Sequence, residues 1–276
     1  MQLRFAKMHG LGNDFMVVDM ITQRSRLNSD QIRQLSNRNT GIGFDQLLLV
    51  ETPRSPDADF RYRIYNADGS EVEHCGNGAR CFALFVHNQR LTGKSNIAVD
   101  TANGRIVLHM LDNGQVRIDM GAPTLTPAEV PFVAEQQASS YDIELDNQTY
   151  SIGVISMGNP HGVLLVDDID QAPVVQLGSK LTKHECFPQQ ANIGFMQIID
   201  RKTINLRVFE RGVGETQACG TGACAAVASG IEQGLLDADV TVHLRGGDLR
   251  IEWQGESQPL FMTGPATHVY EGQLRL

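Results

Sequence analysis

The chain reads as an α+β protein of two similar domains related by pseudo-twofold symmetry, each a curved, mainly antiparallel sheet wrapped around a central helix. Three observations predict this: a cysteine-centred segment that occurs twice, a predominance of strand-like stretches, and two helical segments that are apolar almost all round. Residues 65–79 align with residues 209–223, and in both a cysteine precedes a Gly-x-Gly-Ala turn into an apolar run. Cys75 and Cys219 stand 144 residues apart, about half of the 276-residue chain. A repeat of this length marks duplicated units, and pseudo-twofold packing of two such units is expected to bring both cysteines to one cleft.

Other landmarks recur in the same order. Gly12-Asn13 is matched by Gly158-Asn159 at an offset of 146, and Gly43-Phe44-Asp45-Gln46 by Gly194-Phe195-Met196-Gln197 at an offset of 151. Each match alone is ordinary turn chemistry, and their shared order argues for duplication. Strands are predicted over residues 60–65, 97–100, 105–110, 116–120, 204–209, 240–244 and 249–253, many of which alternate apolar and polar side chains. Asn103-Gly104 and Asn113-Gly114 predict hairpin turns, because Asn-Gly tolerates positive φ at little cost. Helical spacing over 78–87 and 222–234 begins directly after the cysteine turns, and a helix apolar on every face is a buried one. A shorter helix is predicted at 30–37, capped by Ser29 or Asp30. Residues 121–131, with Pro123, Pro127 and Pro131, form the best linker. The first domain is therefore expected to span 1–119, completed by 265–276, and the second 120–264.

Composition narrows the function. A mass of 30.3 kDa allows two substantial cores. The net charge of −9, with no run of Lys or Arg, excludes a phosphate-backbone footprint, so nucleic acid is not an expected partner. The N-terminal residues lack an apolar export segment, and no stretch approaches the roughly 20 apolar residues of a membrane span, so a cytoplasmic protein without membrane contact is expected. Five cysteines, an odd number, read as reduced thiols. Cys81, Cys186 and Cys224 read as small hydrophobes, and the spacing of Cys75 to Cys81 and of Cys219 to Cys224 is not that of a structural zinc site, so no metal is expected. With no P-loop, dinucleotide fingerprint or pyridoxal-lysine motif, no cofactor is expected either.

The cysteines carry the chemistry. A thiol has a reference pKa of about 8.5, and placement at a helix N-terminus is expected to lower it. The open backbone N–H groups of the same helix start suit an anion such as an α-carboxylate, and they stabilise the charge that spreads onto it as an α-proton leaves. Two thiols flanking one carbon suit a two-base proton transfer.

The motifs Met8-His9-Gly10-Leu11-Gly12-Asn13-Asp14-Phe15, Gly43-Phe44-Asp45-Gln46, Asn66-Ala67-Asp68-Gly69, Cys75-Gly76-Asn77-Gly78-Ala79-Arg80-Cys81, Met157-Gly158-Asn159-Pro160-His161, Asn192-Ile193-Gly194-Phe195 and Glu210-Arg211-Gly212 through Cys219-Gly220-Thr221-Gly222 span essentially the whole chain. On them the chain resembles the diaminopimelate epimerase family. The resemblance implies a PLP-independent epimerase that interconverts (S,S)-2,6-diaminopimelate and the meso form, in lysine and peptidoglycan precursor biosynthesis. It implies that Cys75 and Cys219 are the acid and base pair, assisted by His161 and Glu210. The backbone at Gly76-Asn77 and Gly220-Thr221 then receives the reacting carboxylate. Asn13, Gln46, Asn66, Asn159, Asn192, Glu210 and Arg211 become substrate contacts, and the protein a homodimer with Tyr270 at its interface. The halves differ, since Asn66 aligns with Glu210 and Ala67 with Arg211. Two positions depart from the family pattern: Gly162, where relatives often carry cysteine, and Thr221, where serine is frequent.

Other readings compete. Asn13 and Asn159 suit turns that satisfy their own backbone, His161 suits an ordinary turn, and Glu210-Arg211 suits a surface ion pair. A proline or hydroxyproline racemase shares the two-thiol logic, but its substrate offers no distal group for Glu210 and Arg211. A cysteine hydrolase with Cys219 as nucleophile and His161 as base leaves Cys75 and the repeat unexplained. A two-lobed amino-acid-binding protein would need neither thiol.

Overall fold

A computed structural model describes residues 2–72, 75–102 and 104–275. Glu73 and His74 of the cysteine repeat, Asn103 of an expected hairpin turn and Leu276 of the expected closing segment lie outside the described residues. In chain order the elements begin with β1 (Gln2–Gly10), β2 (Asn13–Asp19), α1 (Ser29–Ser36), β3 (Gln46–Glu51), β4 (Phe60–Asn66), β5 (Glu71–Val72), α2 (Gly76–Asn88), β6 (Asn96–Thr101), β7 (Gly104–Met110) and β8 (Val116–Asp119). They continue with β9 (Tyr141–Leu145), β10 (Gln148–Ser156), β11 (Pro160–Leu165), α3 (Val174–Leu181), β12 (Asn192–Asp200), β13 (Thr203–Glu210), β14 (Gly214–Glu215), α4 (Gly220–Glu232), β15 (Asp239–Leu244), β16 (Gly247–Glu252), β17 (Phe261–Gly264) and β18 (Thr267–Arg275). The chain divides into two compact units, Met1–Asp119 with Thr263–Leu276, and Met120–Met262.

The two units repeat one topology. In the first, the strands run β18-β1-β2-β3-β4-β6-β7-β8, with β2–β3 and β4–β6 parallel and the other pairs antiparallel. In the second they run β9-β10-β11-β12-β13-β15-β16, with β11–β12 and β13–β15 parallel. The short strands β5 and β14 fold back on β4 and β13 as the hairpins that precede the cysteines.

Each sheet is covered on both faces. Leu47 and Leu49 of β3 pack with Met16, Val18 and Phe44 against Ile32 of α1. Leu48, one residue out of phase, and Phe15 of β2 lie beneath Gly78 of α2. Alternate residues of one strand thus serve two cores, which makes the strand a continuous apolar run. In the second unit Ile193 and Phe195 of β12 share a core with Val174 and Leu181 of α3, while Ser229 of α4 sits against Gly153 of β10.

The helix ends show where local chemistry departs from expectation. Asn28, not Ser29 or Asp30, caps α1, because its side chain accepts from the Gln31 N–H while the Gln31 side chain accepts from the Asn28 N–H. Helices α2 and α4, 13 residues each, start at the glycine directly after the cysteine, two residues before the predicted starts. Cys75 (φ −147°, ψ 113°) and Cys219 (φ −116°, ψ 108°) are the extended N-cap residues. Their carbonyls accept from Ala79 and Ala223, each at 2.9 Å.

Three further differences matter. Helix α3 has no counterpart in the sequence reading, since Pro173 at its cap, two valines in its first turn and Gly178 inside it dilute the helical signal. Gly178 is required by packing, as a Cβ there would lie 2.6 Å from the Phe209 Cβ. Residues 121–131 are anchored to the second unit by a Leu260 N–H bond to the Gly121 carbonyl (2.9 Å), a bridge from Thr124 to Ser156 and a buried Val130. The landmark at offset 151 is not a structural match: β2–β3 pairs Phe15 with Gln46 while β11–β12 pairs His161 with Asn192, so Gln46 corresponds to Asn192, not Gln197.

Gly78 explains the second glycine of the Cys-Gly-x-Gly motif: a Cβ there would lie 2.5 Å from the Tyr62 hydroxyl and 3.3 Å from both Leu48 and Phe15. At Gly222 the nearest atoms are looser, at 3.1 Å (Val208) and 3.2 Å (Cys219). Gly78→Ala should therefore cost about 1–3 kcal/mol through overpacking, and Gly222→Ala less, as read from urea denaturation of the two variants.

Candidate active site

Each unit builds one half-site around its cysteine. In the first, the cysteine hairpin is clamped by Arg63 of β4, whose Nε and second terminal nitrogen meet the Glu71 carboxylate at 2.7 Å each. The second unit repeats the clamp at the same 144-residue offset, with Arg207 Nε at 2.7 Å and its terminal nitrogen at 3.1 Å from Glu215. This duplicated bidentate pair was not found in the sequence, although the repeat offset alone would have matched Arg63 to Arg207 and Glu71 to Glu215. A bidentate fork fixes orientation as well as distance, so it sets the hairpin that delivers each thiol.

Cys75 is half-buried. Its sulfur reaches Asn13 Oδ1 at 3.7 Å, and Asn77 Nδ2 reaches the same oxygen at 3.4 Å. The amide nitrogen of Asn13 donates to Asp45 Oδ2 at 3.0 Å. Tyr62 donates its hydroxyl to the Cys75 carbonyl at 3.3 Å, and burial pushes this tyrosine well above its usual pKa. One strand pair away, Gln46 donates to Asn66 Oδ1 at 3.0 Å. The Gln46 Oε1 atom is buried with no hydrogen-bond partner among the described residues. Beneath Asn13, the buried Lys7 donates to Asp14 at 2.5 Å and to the Gly43 carbonyl, and Arg38 grips Asp14 at 2.8 and 3.0 Å. Burial works against the charge on Asp14, but the hydrogen bonds from Arg38 and Lys7 win and hold its carboxyl at about 2.

Cys219 is 5 % exposed. Its sulfur lies 3.6 Å from the Thr221 hydroxyl, which accepts from Asn159 Nδ2 at 3.4 Å. Asn159 Oδ1 in turn meets His161 Nε2 at 3.0 Å. Because Oδ1 only accepts, the imidazole carries its hydrogen on Nε2. Burial, reinforced by the positive charge of Arg211, drives His161 down to about 3, so the ring is neutral throughout the physiological range. The Glu210 carboxylate accepts from the Thr216 hydroxyl at 2.6 Å and faces the Cys219 thiol. Asn192 Oδ1 accepts from the Arg211 N–H at 2.9 Å, and the Arg211 guanidinium donates to the Gln189 carbonyl at 2.9 Å.

The Cys219 thiol corrects one expectation. Burial pushes it well above the ordinary thiol value, and Glu210 pushes the same way; the Thr221 hydroxyl and the Gly222 N–H pull it down without prevailing. A helix start lowers a thiol only while the thiolate stays solvated, and here desolvation is larger.

Of the expected site residues, the structure gathers Asn13, Gly76 and Asn77 around Cys75 and pairs Gln46 with Asn66 on adjacent strands. It gathers Asn159, His161, Glu210, Gly220 and Thr221 around Cys219, with Asn192 and Arg211 joined beside Glu210. Tyr270 lies elsewhere, on β18, edge-on to Phe5 with ring centroids 6.1 Å apart. Gly162 is packed by Ile152, 2.5 Å from where a Cβ would stand. Among the described residues no cluster of His, Cys, Asp and Glu has the makings of a metal site, and no helix is long and apolar enough to cross a membrane.

The fold is that of a class of solved structures that includes racemases and epimerases. A hydroxyproline epimerase from Agrobacterium vitis superposes with a TM-score of 0.70 at 14% identity, covering 99% of this chain and 92% of that one. A phenazine biosynthesis protein of the PhzF family from Bacillus anthracis gives 0.70 at 17% identity, covering 100% of both chains. The diaminopimelate epimerase family model matches residues 5–126 and 153–269. Diaminopimelate epimerases from Pseudomonas entomophila (strain L48) and Pseudomonas aeruginosa (strain LESB58) are 59% and 60% identical over 276 residues, covering 100% of each chain. The chain belongs to the diaminopimelate epimerase family and is an isomerase.

The neutral, buried His161 makes a prediction about acid stability. Its folded-state pKa lies below its unfolded value of about 6.5, so the unfolded chain binds the proton first, and stability present above pH 6.5 is lost as pH falls toward 3. The loss should approach about 1.4 kcal/mol per pH unit over that window. His161→Phe, which copies the residue that Phe15 supplies in the other unit, should flatten the fall in denaturant titrations at stepped pH.

Proposed function

We propose that this chain interconverts (S,S)-2,6-diaminopimelate and meso-diaminopimelate without PLP, with Cys75 and Cys219 as the two proton-carrying groups, in lysine and peptidoglycan precursor biosynthesis. The observation that carries the mechanism is the duplicated half-site: a thiol at the N-cap of a buried helix, beside a turn asparagine, once in each unit. One sulfur, as thiolate, takes the α-proton; the other, as thiol, delivers a proton to the opposite face of the same carbon. The roles exchange in the reverse direction. Glu210 is placed to accept the Cys219 proton, after which the Thr221 hydroxyl and the Gly222 N–H donate to the thiolate. Arrival of the substrate's α-ammonium group beside a buried sulfur favours the thiolate further.

The first-turn N–H groups at Gly76-Asn77 and Gly220-Thr221 receive the reacting carboxylate, since the first amides of a helix have no intrahelical acceptor. Neutral His161 serves as a hydrogen-bond donor that holds Asn159, and so Thr221, against Cys219. Arg211 suits the distal carboxylate and the amides the distal ammonium, since the orphan acceptor of Gln46, paired with Asn66, suits an ammonium donor. Asn13, Asn159 and Asn192 complete the contacts. The same reading takes residues 1–119 with 265–276, and 120–264, as domains from one duplication. It places the protein in the cytoplasm, in keeping with five free cysteines. It makes the protein a homodimer with Tyr270 at the interface, in keeping with the exposure of Val269 and Tyr270 on β18.

Incubation of the purified chain with (S,S)-diaminopimelate in deuterated water, without added cofactor, tests the reading. Deuterium at one α-carbon together with the meso isomer is expected; no exchange from folded, reduced protein would overturn it. Cys75→Ala and Cys219→Ala should each lower kcat at least about 10³-fold, the scale of losing a general acid or base.

A further inference from the structure

We propose that Asp45 and Arg80 are positioning residues that lock the side-chain amide of Asn13 in one orientation, with its carbonyl oxygen turned to Cys75. An isolated asparagine amide can turn over, exchanging donor for acceptor. Here both ends of the chain of contacts forbid it. Asp45 presents a carboxylate that only accepts, and its Oδ2 takes both the Asn13 Nδ2 hydrogen (3.0 Å) and the Asp14 N–H (3.1 Å). At the far end the guanidinium of Arg80, which only donates, holds Asn77 Oδ1 at 2.8 Å. That turns Asn77 Nδ2 toward Asn13 Oδ1, and Oδ1 is left facing the Cys75 thiol.

Arg80 has the structure of a residue kept for this purpose. It is fully buried, and its remaining nitrogens donate to the Pro265 carbonyl (3.0 Å) and the Gly76 carbonyl (3.5 Å). From the second turn of α2 its cation reaches back to the first, where the helix dipole opposes positive charge. Asp45 is held from outside by Arg38 at 2.7 Å. The lock determines what Cys75 meets: an acceptor, which favours the S–H form, and no donor from this amide to a thiolate. It also fixes Asn13 as a receiver for donors such as an ammonium group and not for a carboxylate. Among the described residues, titratable groups that face Cys75 include Tyr62 from β4 and Cys81 from α2, with the Arg80 charge acting on Cys81.

The inference uses the proposed roles of Asn13 and Cys75 only for its consequence in turnover. Its test is read on the free enzyme, so it fails or stands independently of the substrate assignment. The probe is iodoacetamide, with the rate at Cys75 followed by peptide mass spectrometry across pH. Asp45→Ala removes both the charge and the acceptor and leaves the amide held only by the long 3.4 Å bond from Asn77, so that Asn13 can turn a donor to the sulfur; alkylation of Cys75 at pH 7 should accelerate about three- to tenfold. Asp45→Asn removes the charge alone. Its oxygen stays on Asn13 and the Asp14 N–H, which are two donors against one from Arg38, a side chain 58% exposed and able to swing away. It should keep the wild-type rate. Equal acceleration in both variants would make Asp45 a mere charge, and no change in either would make it inert; each overturns the proposal. The fully buried Cys81 and Cys224 report on folding in the same maps and should stay unmodified. Should the alanine variant open, Asp45→Leu removes the acceptor while filling its space and serves the same comparison.

Discussion

The constraint on which everything else rests is the burial of a helix start. Helices α2 and α4 are enclosed along almost their whole length, so their first N–H groups, which in a surface helix would bind water, end in a dry setting. The cap residue there is normally Ser, Thr, Asp or Asn, whose oxygen satisfies one of those groups. Cysteine is a poor substitute: neither Cys75 nor Cys219 makes the full side-chain cap that an oxygen would, although the Gly222 N–H is directed at the Cys219 sulfur. The fold thus brings the first N–H groups of a buried helix and a thiol to one point, twice. The small residues that follow, and the arginine–glutamate clamps that fix the hairpins, keep that costly arrangement in place.

How much of this was legible depended on whether one side of an element met solvent. The strands of residues 60–65, 204–209 and 240–244 alternate visibly because one face is less buried, and α2 and α4 announce themselves by apolar residues on every face. Strand β3, by contrast, feeds Leu47 and Leu49 to one core and Leu48 to another, so its sequence carries no period. The same holds for β12, whereas β1 and β9, which open the two units, do alternate (Gln2-Leu3-Arg4-Phe5 and Tyr141-Asp142-Ile143-Glu144-Leu145) and yet stand outside the predicted strands. Helix α3 stayed hidden because valine and glycine are weak helix formers, chosen at 178 for contact with Phe209 and not for propensity.

The site was legible where function and chain order coincide. Cysteines, glycines and asparagines lie within short motifs, and the repeat points at them. What sequence could not supply was the sign of an environment. The helix-start rule placed the thiol correctly but gave the wrong direction for Cys219, because the depth of burial is a property of the folded unit. Nor does a sequence say that Asn13 and Asn159, matched in the repeat, use their amides differently: Asn13 turns its oxygen to the Cys75 thiol, and Asn159 turns its nitrogen to the Thr221 hydroxyl beside Cys219.

That last difference suits the two-base chemistry proposed for the pair of thiols. In that chemistry one sulfur must hold a proton and the other must lack it when the substrate arrives, and the assignment is reversed when the product leaves. Two identical half-sites would give both thiols the same preference, and the productive mixed state would have no advantage over the fully protonated one. On that proposal the repeated topology supplies the two thiols, and differences at a few matched positions supply the bias. Phe15 stands where the other unit has His161, and Asn66 where it has Glu210. In the first unit Asn13 offers Cys75 an acceptor. In the second, His161 turns Asn159 so that its amide nitrogen meets the Thr221 oxygen, whose own hydrogen then points at sulfur, while the Glu210 carboxylate faces the thiol. The asymmetry is confined to side chains on a shared backbone plan, which lets the proton preference change without disturbing either buried helix start.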